Sequence, residues 1–427
     1  MKFLDINNRK MVTDMPDPKV LYEQRKTRVM KAINLEQPDR VPIAPKMGNF
    51  YAHGYNVSMY DMMMDMRNCR EAIRSYLTEY QPDMVLPPST YSINTMEILD
   101  VADMGWPGPT RNMPLDQMPQ VVDKCYINDD KELDEFIQDP THFTLTKIYP
   151  RKFRSLAGLA KLYLRDPVDK SAFASMKAFA SPEVKEALLT AIKAGEAQIA
   201  FDNTCAETFK IIEEMGFFRR KNITQLAPFD AYAEGMRGLV QAVMDTRNRP
   251  EKLARALEIL TDIAVEQARR QALAKKPDFL YMPLHAGTDE FMSPASYAKF
   301  YWPGVRRMIE AMAELGVITI LFCEGKYYSR LEQLAEAPRG KAAFAFEKTD
   351  MKQAKKILGK VGCIFGNVST TNLAYGTPEQ VADETKRLID DCADGGGFIM
   401  DCSIVIDNVR HENLRAMYDT TLKYGRY

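Results

Sequence analysis

The sequence lacks the features of a disulfide-stabilised, membrane-spanning or nucleic-acid-binding chain. Its seven cysteines are scattered and form no C-x-x-C pair, which indicates reduced thiols. There is no run of about 18 apolar residues, and the first residues contain no apolar core of signal-peptide length. The net charge of −1 gives no electrostatic basis for binding nucleic acid or an anionic membrane. We therefore expect a cytoplasmic protein with neither among its partners.

Several catalytic motifs are also missing. No H-E-x-x-H, G-x-S-x-G or G-x-x-x-x-G-K-[ST] occurs, which removes the commonest zincin, hydrolase and nucleotide-binding sites. No G-x-G-x-x-G follows an early strand, which counts against an open dinucleotide-binding sheet. Apolar residues make up 46% of the 427 residues and charged residues 27%, so a large core can form without disulfides or structural metals.

Five short apolar runs in the last third of the chain each end at a polar residue that can bind a metal or a substrate. They are Phe279–His285, Val317–Glu324, Lys341–Glu347, Cys363–Asn367 and Phe398–Cys402. A helical stretch follows each run, a pattern typical of parallel strands covered on both faces. The carboxyl ends of such strands converge on one site. The sequence therefore predicts an α/β fold, a (β/α)8 TIM-type barrel, with a doubly wound open sheet as the alternative.

The rest of the chain is organised less clearly. We predict an N-terminal arm over residues 1–25 and a single barrel domain over residues 26–427. Tyr22–Glu36 is predicted as a helix and Arg40–Pro45 as the first strand. From there to about residue 150 the sequence is rich in proline, methionine and tyrosine, which favours one barrel unit carrying long substrate-facing loops.

Glu324, Glu347 and Cys402 form a candidate zinc site. Carboxylate oxygen and thiolate sulfur are both zinc ligands, and a catalytic zinc typically takes three protein ligands. Their spacings of 23 and 55 residues resemble no compact structural zinc motif and suit ligands drawn from separate β/α units. Each residue also has a structural interpretation. The carboxylates can cap a helix or pair with Lys326 or Lys348, and Cys402 can be a small buried apolar residue.

Three further residues have competing interpretations. His285 is one of four histidines, and it is a fourth ligand, a proton donor or a structural histidine. Strand alternation directs Cys323 away from the side of Glu324, so we interpret it as structural. Met47 belongs to a methionine-rich part of the chain that either lines an adaptable pocket for a flat apolar ligand or fills gaps in the core.

An ordered set of further segments runs through nearly the whole chain. They are Arg28–Pro42, Ala227–Asp230, Arg237–Leu239, Arg249–Leu253, Phe291–Pro294, Glu347–Asp350, Gly366–Asn367, Gly376–Glu379, Gly396–Ile399 and Glu412–Leu414. Each is weak alone, but in this order they resemble the uroporphyrinogen decarboxylase superfamily. That superfamily contains decarboxylases and zinc-dependent, corrinoid-linked methyltransferases, and the resemblance implies a single (β/α)8-type barrel.

Two departures from the family pattern narrow what the resemblance implies. The decarboxylases carry an R-Q-A-G-R segment whose arginines receive substrate carboxylates, whereas this chain has Pro45–Phe50 there, so porphyrinogen decarboxylation is not expected. The thiol-methylating branch carries H-x-C where this chain has Phe322 and Glu324, while Cys402 keeps the last ligand and Glu347 stands at an acidic position. More oxygen ligation suits a zinc that polarises an oxygen.

The resemblance thus implies a zinc-dependent methyltransferase that moves a methyl group from a methoxylated, aromatic compound to a cobalt(I) corrinoid. The chain has no D-x-H-x-x-G segment, so the corrinoid should arrive on a separate corrinoid-binding protein. The expected partners are that protein, a small-molecule methyl donor and a second copy in a homodimer. The alternatives are corrinoid-to-thiol or corrinoid-to-folate transfer, a metal-free decarboxylase, and a non-enzymatic tetrapyrrole-binding scaffold. The predicted residues are His285 and Glu324 for catalysis, Glu324, Glu347 and Cys402 for zinc, and Tyr327, Tyr328, Asn367 and Met47 for substrate.

Overall fold

The computed structural model describes residues 17–163 and 172–427. The strands are β1 Met84–Val85, β2 Met104–Gly105, β3 Gln120–Val121, β4 Phe218–Arg219, β5 Asn222–Thr224, β6 Phe279–Leu284, β7 Ile318–Cys323, β8 Ala342–Phe346, β9 Ile364–Phe365 and β10 Phe398–Ile399. The helices of the first half are α1 Pro18–Ile33, α2 Phe50–His53, α3 Met59–Met64, α4 Arg70–Tyr80, α5 Ile93–Leu99, α6 Asp130–Gln138, α7 Pro140–Phe143, α8 Tyr149–Lys152, α9 Ala172–Ser175, α10 Lys177–Ala180 and α11 Pro182–Glu214. Those of the second half are α12 Pro228–Tyr232, α13 Leu239–Asn248, α14 Pro250–Lys275, α15 Pro294–Ser296, α16 Trp302–Glu314, α17 Leu331–Leu334, α18 Met351–Leu358, α19 Thr370–Tyr375, α20 Pro378–Cys392 and α21 His411–Tyr424.

Parallel strand positions close into a barrel. Strands β5 to β10 form a continuous parallel sheet, and β1 pairs in parallel with β4. Only Arg220 and Lys221 separate β4 from β5, so these two strands occupy one position in the ring. Ile43 bridges to Met400 on one side, and on the other its carbonyl accepts hydrogen bonds from the backbone N–H groups that begin β1. The ring therefore has eight positions, and the predicted (β/α)8 barrel is confirmed.

The runs predicted as strands in the last third are all present, and each polar residue lies just beyond a strand end. Strands β6, β7 and β8 fill nearly the whole of their runs, whereas β9 and β10 keep two residues each. The predicted first strand, Arg40–Pro45, is reduced to bridges at Arg40 and Ile43. Pro42 and Pro45 supply no backbone N–H, which limits the ladder that this segment can make.

Helix α1 closes the amino-terminal end of the barrel. Its Val29, Ala32 and Ile33 belong to one buried cluster with Phe279 and Ile320, which lie near the starts of β6 and β7. The predicted arm over residues 1–25 ends inside α1, and residues 1–16 of it lie outside the described residues. With this end sealed by apolar side chains, the carboxyl end of the strands is the open face of the barrel.

The outward faces of the strands pack against the surrounding helices. A second, larger apolar cluster fills the space between the strands and the helices. It includes Leu321 and Cys323 of β7 and Phe344 and Phe346 of β8. Cys323 therefore points away from the barrel interior, as the strand alternation predicts.

A long insertion separates β1 from β4. It contains the antiparallel pair β2–β3, helices α5 to α11 and a small apolar cluster of its own, which includes Leu156, Leu159 and Val184. The sequence predicts long loops up to about residue 150, whereas this insertion continues through α11 to Glu214. That the loops face a substrate stays a prediction. None of the helices in the described part of the chain is long and apolar enough to cross a bilayer.

Candidate active site

Four ionisable side chains meet at the carboxyl end of β6 and β7. His285 follows β6 and Glu324 follows β7 directly. Asp230 lies in α12 and Glu234 in the π-helical turn Ala233–Arg237 that continues it. Positions i and i+4 share one helical face, so both carboxylates project toward His285. We call Asp230, Glu234, His285 and Glu324 the histidine cluster.

Asp230 fixes the backbone on which His285 stands. Its Oδ2 accepts hydrogen bonds from the His285 N–H at 3.0 Å and the Tyr301 hydroxyl at 2.6 Å, and its Oδ1 accepts one from the Ala286 N–H at 2.9 Å. Burial raises the pKa of Asp230 to about 6, although the charge of His285 and these hydrogen bonds act to lower it. Because both oxygens are already engaged, Asp230 acts chiefly to position the loop after β6.

Glu234 and Glu324 contact opposite nitrogens of the imidazole. His285 Nδ1 lies 2.5 Å from Glu234 Oε1, a hydrogen bond that fixes the ring. His285 Nε2 lies 3.5 Å from Glu324 Oε2, beyond the usual range of a good hydrogen bond. A carboxylate that holds one ring nitrogen while the other faces a second ligand is the usual arrangement of a metal-binding histidine.

The cluster carries an excess of negative charge. Burial lowers the pKa of His285, but the Glu234 hydrogen bond and the charges of Glu234, Asp230 and Glu324 outweigh it and raise the pKa to about 9. Burial also raises the pKa of Glu324, with Glu347 and Glu234 adding to the rise and His285 opposing it. Three carboxylates around one imidazole draw positive charge to this point, whether a proton or a metal cation brings it.

The donor atoms fit a divalent cation. Ligand atoms of Asp230, Glu234 and His285 lie within 4.8 Å of one another, and within residues 17–163 and 172–427 no other such group of three occurs. Two ligands of one tetrahedral zinc lie about 3.3 Å apart, given zinc–ligand distances of about 2.0–2.1 Å. The 3.5 Å between His285 Nε2 and Glu324 Oε2 matches that separation.

The structure brings one further member of the predicted zinc trio close to this cluster. Glu347 follows β8 and interacts electrostatically with Glu324. Its Oε2 accepts the Gly325 N–H at 2.6 Å, and its Oε1 lies 3.2 Å from Lys348 Nζ. One Glu347 oxygen thus stabilises the turn after β7, while the other has only a lysine as partner.

Cys402 is placed elsewhere. Its Sγ lies 3.1 Å from Ile404 O and 3.4 Å from Asp401 Oδ1, and burial raises the pKa of the thiol well above its usual range. Among the described residues, Glu324, Glu347 and Cys402 are therefore not gathered as one set of ligand atoms, and their joint role stays a prediction.

The neighbour of Cys402 is a buried ion pair between Lys46 and Asp401, which we call the lysine pair. Lys46 Nζ lies 2.5 Å from Asp401 Oδ2 and donates to Cys402 O at 2.7 Å. Asp401 Oδ1 accepts the backbone N–H groups of Lys46 at 3.0 Å and Cys402 at 2.7 Å. Both side chains are 2% exposed or less. Every oxygen of Asp401 is satisfied, so the lysine pair joins the first strand segment to β10.

The residues predicted to bind substrate mostly hold the strand ends in place. The buried Tyr327 hydroxyl donates to Leu284 O at 2.8 Å, and the Tyr328 hydroxyl donates to Lys348 O at 3.0 Å. Asn367 Nδ2 donates to Glu347 O at 3.1 Å. Met47 is fully buried in the larger apolar cluster between the strands and the surrounding helices. These contacts leave their role in substrate binding a prediction.

A pair of stacked aromatic rings lies inside the barrel below the histidine cluster. The rings of Tyr281 and Phe322 stack with centroids 6.4 Å apart and planes 15° apart. Lys46 Nζ lies 5.0 Å from the Phe322 centroid, and the Arg220 guanidinium lies 4.6 Å from the Tyr281 centroid. Sequence reasoning missed Arg220, Asp230 and Glu234, although Asp230 ends the segment Ala227–Asp230 that carried part of the resemblance and Glu234 follows it by four residues.

Comparison with known proteins shows what the second half of the chain and the barrel are similar to. Residues 225–424 match the model of the family described as uroporphyrinogen decarboxylase (URO-D). A curated uroporphyrinogen decarboxylase from Syntrophotalea carbinolica is 26% identical over 171 residues. That match covers 40% of this chain and 48% of the relative, so it spans about half the length of that protein.

A solved methyltransferase structure from Methanosarcina mazei shares the fold. It superposes with a TM-score of 0.59 at 15% sequence identity, covering 94% of this chain and 98% of the other. The URO-D match begins just before α12 and includes all four members of the histidine cluster. The match to the uroporphyrinogen decarboxylase family model thus covers the second half of the chain, and the barrel as a whole has the fold of the Methanosarcina mazei methyltransferase.

Proposed function

We propose that this protein is a zinc-dependent methyltransferase that moves a methyl group from a methoxylated aromatic compound to the cobalt(I) corrinoid of a separate protein. The observation that carries the proposal is the histidine cluster, in which three carboxylates surround one imidazole at the open end of the barrel. The fold shared with the Methanosarcina mazei methyltransferase is consistent with it.

In this proposal, His285 Nε2 and Glu324 would hold the metal. Glu347 would become the third ligand after turning from Lys348, because the ligand atoms of His285, Glu324 and Glu347 are not gathered as one group in the described residues. Glu234 and Asp230 keep the imidazole and its loop in place, as the outer carboxylates of metal-binding histidines do. Cys402, the remaining predicted ligand, reaches the metal only if its Sγ turns away from Ile404 O. When bound, zinc would polarise the ether oxygen and stabilise the negative charge that develops there.

The methyl transfer balances without a further redox partner. The methyl–oxygen bond breaks as the methyl carbon bonds to cobalt, whose electron pair forms the new bond. The oxygen leaves with the electrons of the broken bond and takes up a proton. Tyr281, which stacks with Phe322 and forms part of a cavity wall, would provide the flat surface on which an aromatic donor aligns for this displacement. The proposal thus assigns binding and orientation to the barrel interior and charge stabilisation to its mouth.

The test is a cobalt methylation assay with a reduced corrinoid protein and a panel of methoxyaromatics and methanol. The change in the corrinoid absorption spectrum reports methylation. We expect methylation with at least one methoxyaromatic, its loss on chelation, and recovery when zinc is returned. Glu324→Gln should lower the rate of cobalt methylation at least about 100-fold. Glu290→Gln, which alters a more exposed mouth carboxylate paired with Lys326, should leave it intact. No cobalt methylation from any donor would refute the proposal.

A decarboxylase is the second candidate, because the curated relative carries that name. In a metal-free decarboxylase, the histidine cluster would supply a proton and Arg220 would hold a substrate carboxylate. Release of carbon dioxide from an aromatic or pyrrolic acid, unaffected by chelation, would favour this candidate over methyl transfer.

A further inference from the structure

Arg220 differs from the other buried arginines. Arg25, Arg220, Arg237 and Arg330 are each 7% exposed or less. Arg237 pairs with Asp245, while Arg330 and Arg25 donate to backbone carbonyls. Arg220 is 6% exposed, yet no ion pair or hydrogen bond of its guanidinium involves any described residue, and its Nε has no partner. A buried cation without a counter-charge is costly unless a ligand supplies one.

The charges near Arg220 are already committed to other partners. Asp401 is the carboxylate whose charge acts on Arg220, and both Asp401 oxygens are occupied within the lysine pair. The neighbours Arg219 and Lys221 both pair with Glu213, at 3.6 and 2.9 Å. The guanidinium itself lies over the Tyr281 ring, which leaves its edge free to donate.

A cavity of about 560 Å³ lies at this point, beside the interruption between β4 and β5. Arg220, Tyr281, Gly48, Asn49 and Ser89 contribute to its lining. Gly48 has φ +44°, and an added Cβ would approach a Val405 methyl carbon to 2.1 Å. A side chain at position 48 would therefore be strained and would crowd this part of the wall, so glycine keeps the space beside Arg220 open.

We propose that Arg220 binds the carboxylate of an aromatic acid, with the ring of that acid lying against Tyr281 in this cavity. The planar guanidinium matches a carboxylate in a two-point hydrogen bond. Tyr281 and His285 are four residues apart on the same side of β6, about 13 Å along the strand. A substituted ring held at Arg220 thus extends toward the histidine cluster. Resting on the proposed function, this assigns the methyl donor to the methoxylated aromatic carboxylic acids.

Calorimetric titration tests this directly and needs neither metal nor corrinoid protein. The probes are para-methoxybenzoate and para-methoxybenzamide, which have nearly the same shape but differ in charge. We expect wild-type protein to prefer the acid, and Arg220→Gln to weaken acid binding about 100-fold without weakening amide binding. Arg220→Lys keeps the charge but not the planar fork and should give an intermediate loss. Lys221→Gln removes a neighbouring charge that also lines the cavity and should change affinity less than about threefold.

Each result bears on the inference separately from the proposed function. Equal affinity of wild-type protein for acid and amide, or an unchanged affinity in Arg220→Gln, would overturn the role of Arg220. Displacement of the acid by an equal concentration of inorganic phosphate would overturn the assignment to carboxylates. If Arg220→Gln fails to fold, Arg220→Lys decides by the same comparison. Charge-selective binding without cobalt methylation would support the subsite and count against the methyltransferase. Methylation from neutral donors alone would do the reverse.

Discussion

The histidine cluster and the lysine pair lie across the barrel mouth from each other, one after β6 and β7 and the other between the first strand segment and β10. Both contain opposite charges in contact. In the lysine pair, one cation meets one anion, both are buried, and each Asp401 oxygen is hydrogen-bonded. In the histidine cluster, three carboxylates surround one imidazole and two of them are partly exposed. The balanced charges of the lysine pair join two strand segments, whereas the unbalanced charges of the histidine cluster are the basis on which we propose a metal there.

Arg220 is also an unbalanced charge, but a positive one. It is a buried cation that lacks the anion a structural pair would supply. The barrel therefore has one point at its open end that attracts a cation and another, deeper inside, that attracts an anion, with the Tyr281 and Phe322 rings below the first and the Tyr281 ring against the second.

The largest expected effect is loss of stability on breaking the lysine pair. Lys46→Met leaves Asp401 charged and buried without its partner, which should lower the free energy of unfolding by about 3–5 kcal/mol. Urea denaturation measures this, and the double variant Lys46→Met with Asp401→Leu should recover much of the loss. If Lys46→Met costs less than about 1 kcal/mol, the lysine pair is not a structural contact and the comparison fails.

Glu324→Gln should have the opposite effect, with little change in stability and a large loss of methyl transfer. Because Glu324 is partly exposed and accepts no hydrogen bond that stabilises a strand, the free energy of unfolding should change by less than about 0.5 kcal/mol. Methyl transfer should fall about 100-fold to 1000-fold, because stabilisation of the developing oxygen charge is lost. Comparing initial rates with those of Glu290→Gln separates this role from a general loss of negative charge. If Glu324→Gln lowered the free energy of unfolding while its folded molecules kept the wild-type rate of methyl transfer, the role of Glu324 would be structural.

Glu234→Gln should weaken metal binding without abolishing it. The amide can still contact His285 Nδ1 but no longer supplies the charge that favours a cation, so zinc affinity should fall about 10-fold to 100-fold. Competition with a chromophoric chelator measures the affinity. An unchanged zinc affinity would mean that Glu234 orients the ring for a purpose other than metal binding.

Cys402→Ala tests whether Cys402 is a metal ligand at the histidine cluster or a structural residue beside the lysine pair. The structure places Cys402 beside Asp401 and Ile404, so we expect less than a tenfold change in zinc affinity and a modest loss of stability from the small cavity. A loss above about 100-fold would show that the sulfur turns toward the metal, as the sequence prediction has it.

The sequence predicts the residues at the ends of β6, β7 and β8 better than it predicts the rest of the barrel mouth. Strands β6 to β10 are buried on both faces, so they are continuous apolar runs, and the residues after them are conspicuous. His285, Glu324 and Glu347 were identified for that reason. Asp230 and Glu234 lie on a helix about 50 residues earlier, and their contact with His285 depends on how α12 sits over β6. No local pattern encodes that packing.

The first part of the barrel is harder to predict for a different reason. The first strand segment makes single bridges, and one strand position is interrupted at Arg220 and Lys221. Such short pairings leave no run of alternating or continuous apolar residues. Lys46 and Asp401 are 355 residues apart, so the sequence alone gives no sign that their charges cancel.

The most direct test of the account is the zinc content of wild-type protein and Glu324→Gln after chelation, zinc re-addition and removal of unbound metal. We expect about one zinc per chain in the wild type and little in the variant, with both proteins equally folded. Equal zinc in both, or none in either, would contradict the claim that the histidine cluster is the metal site.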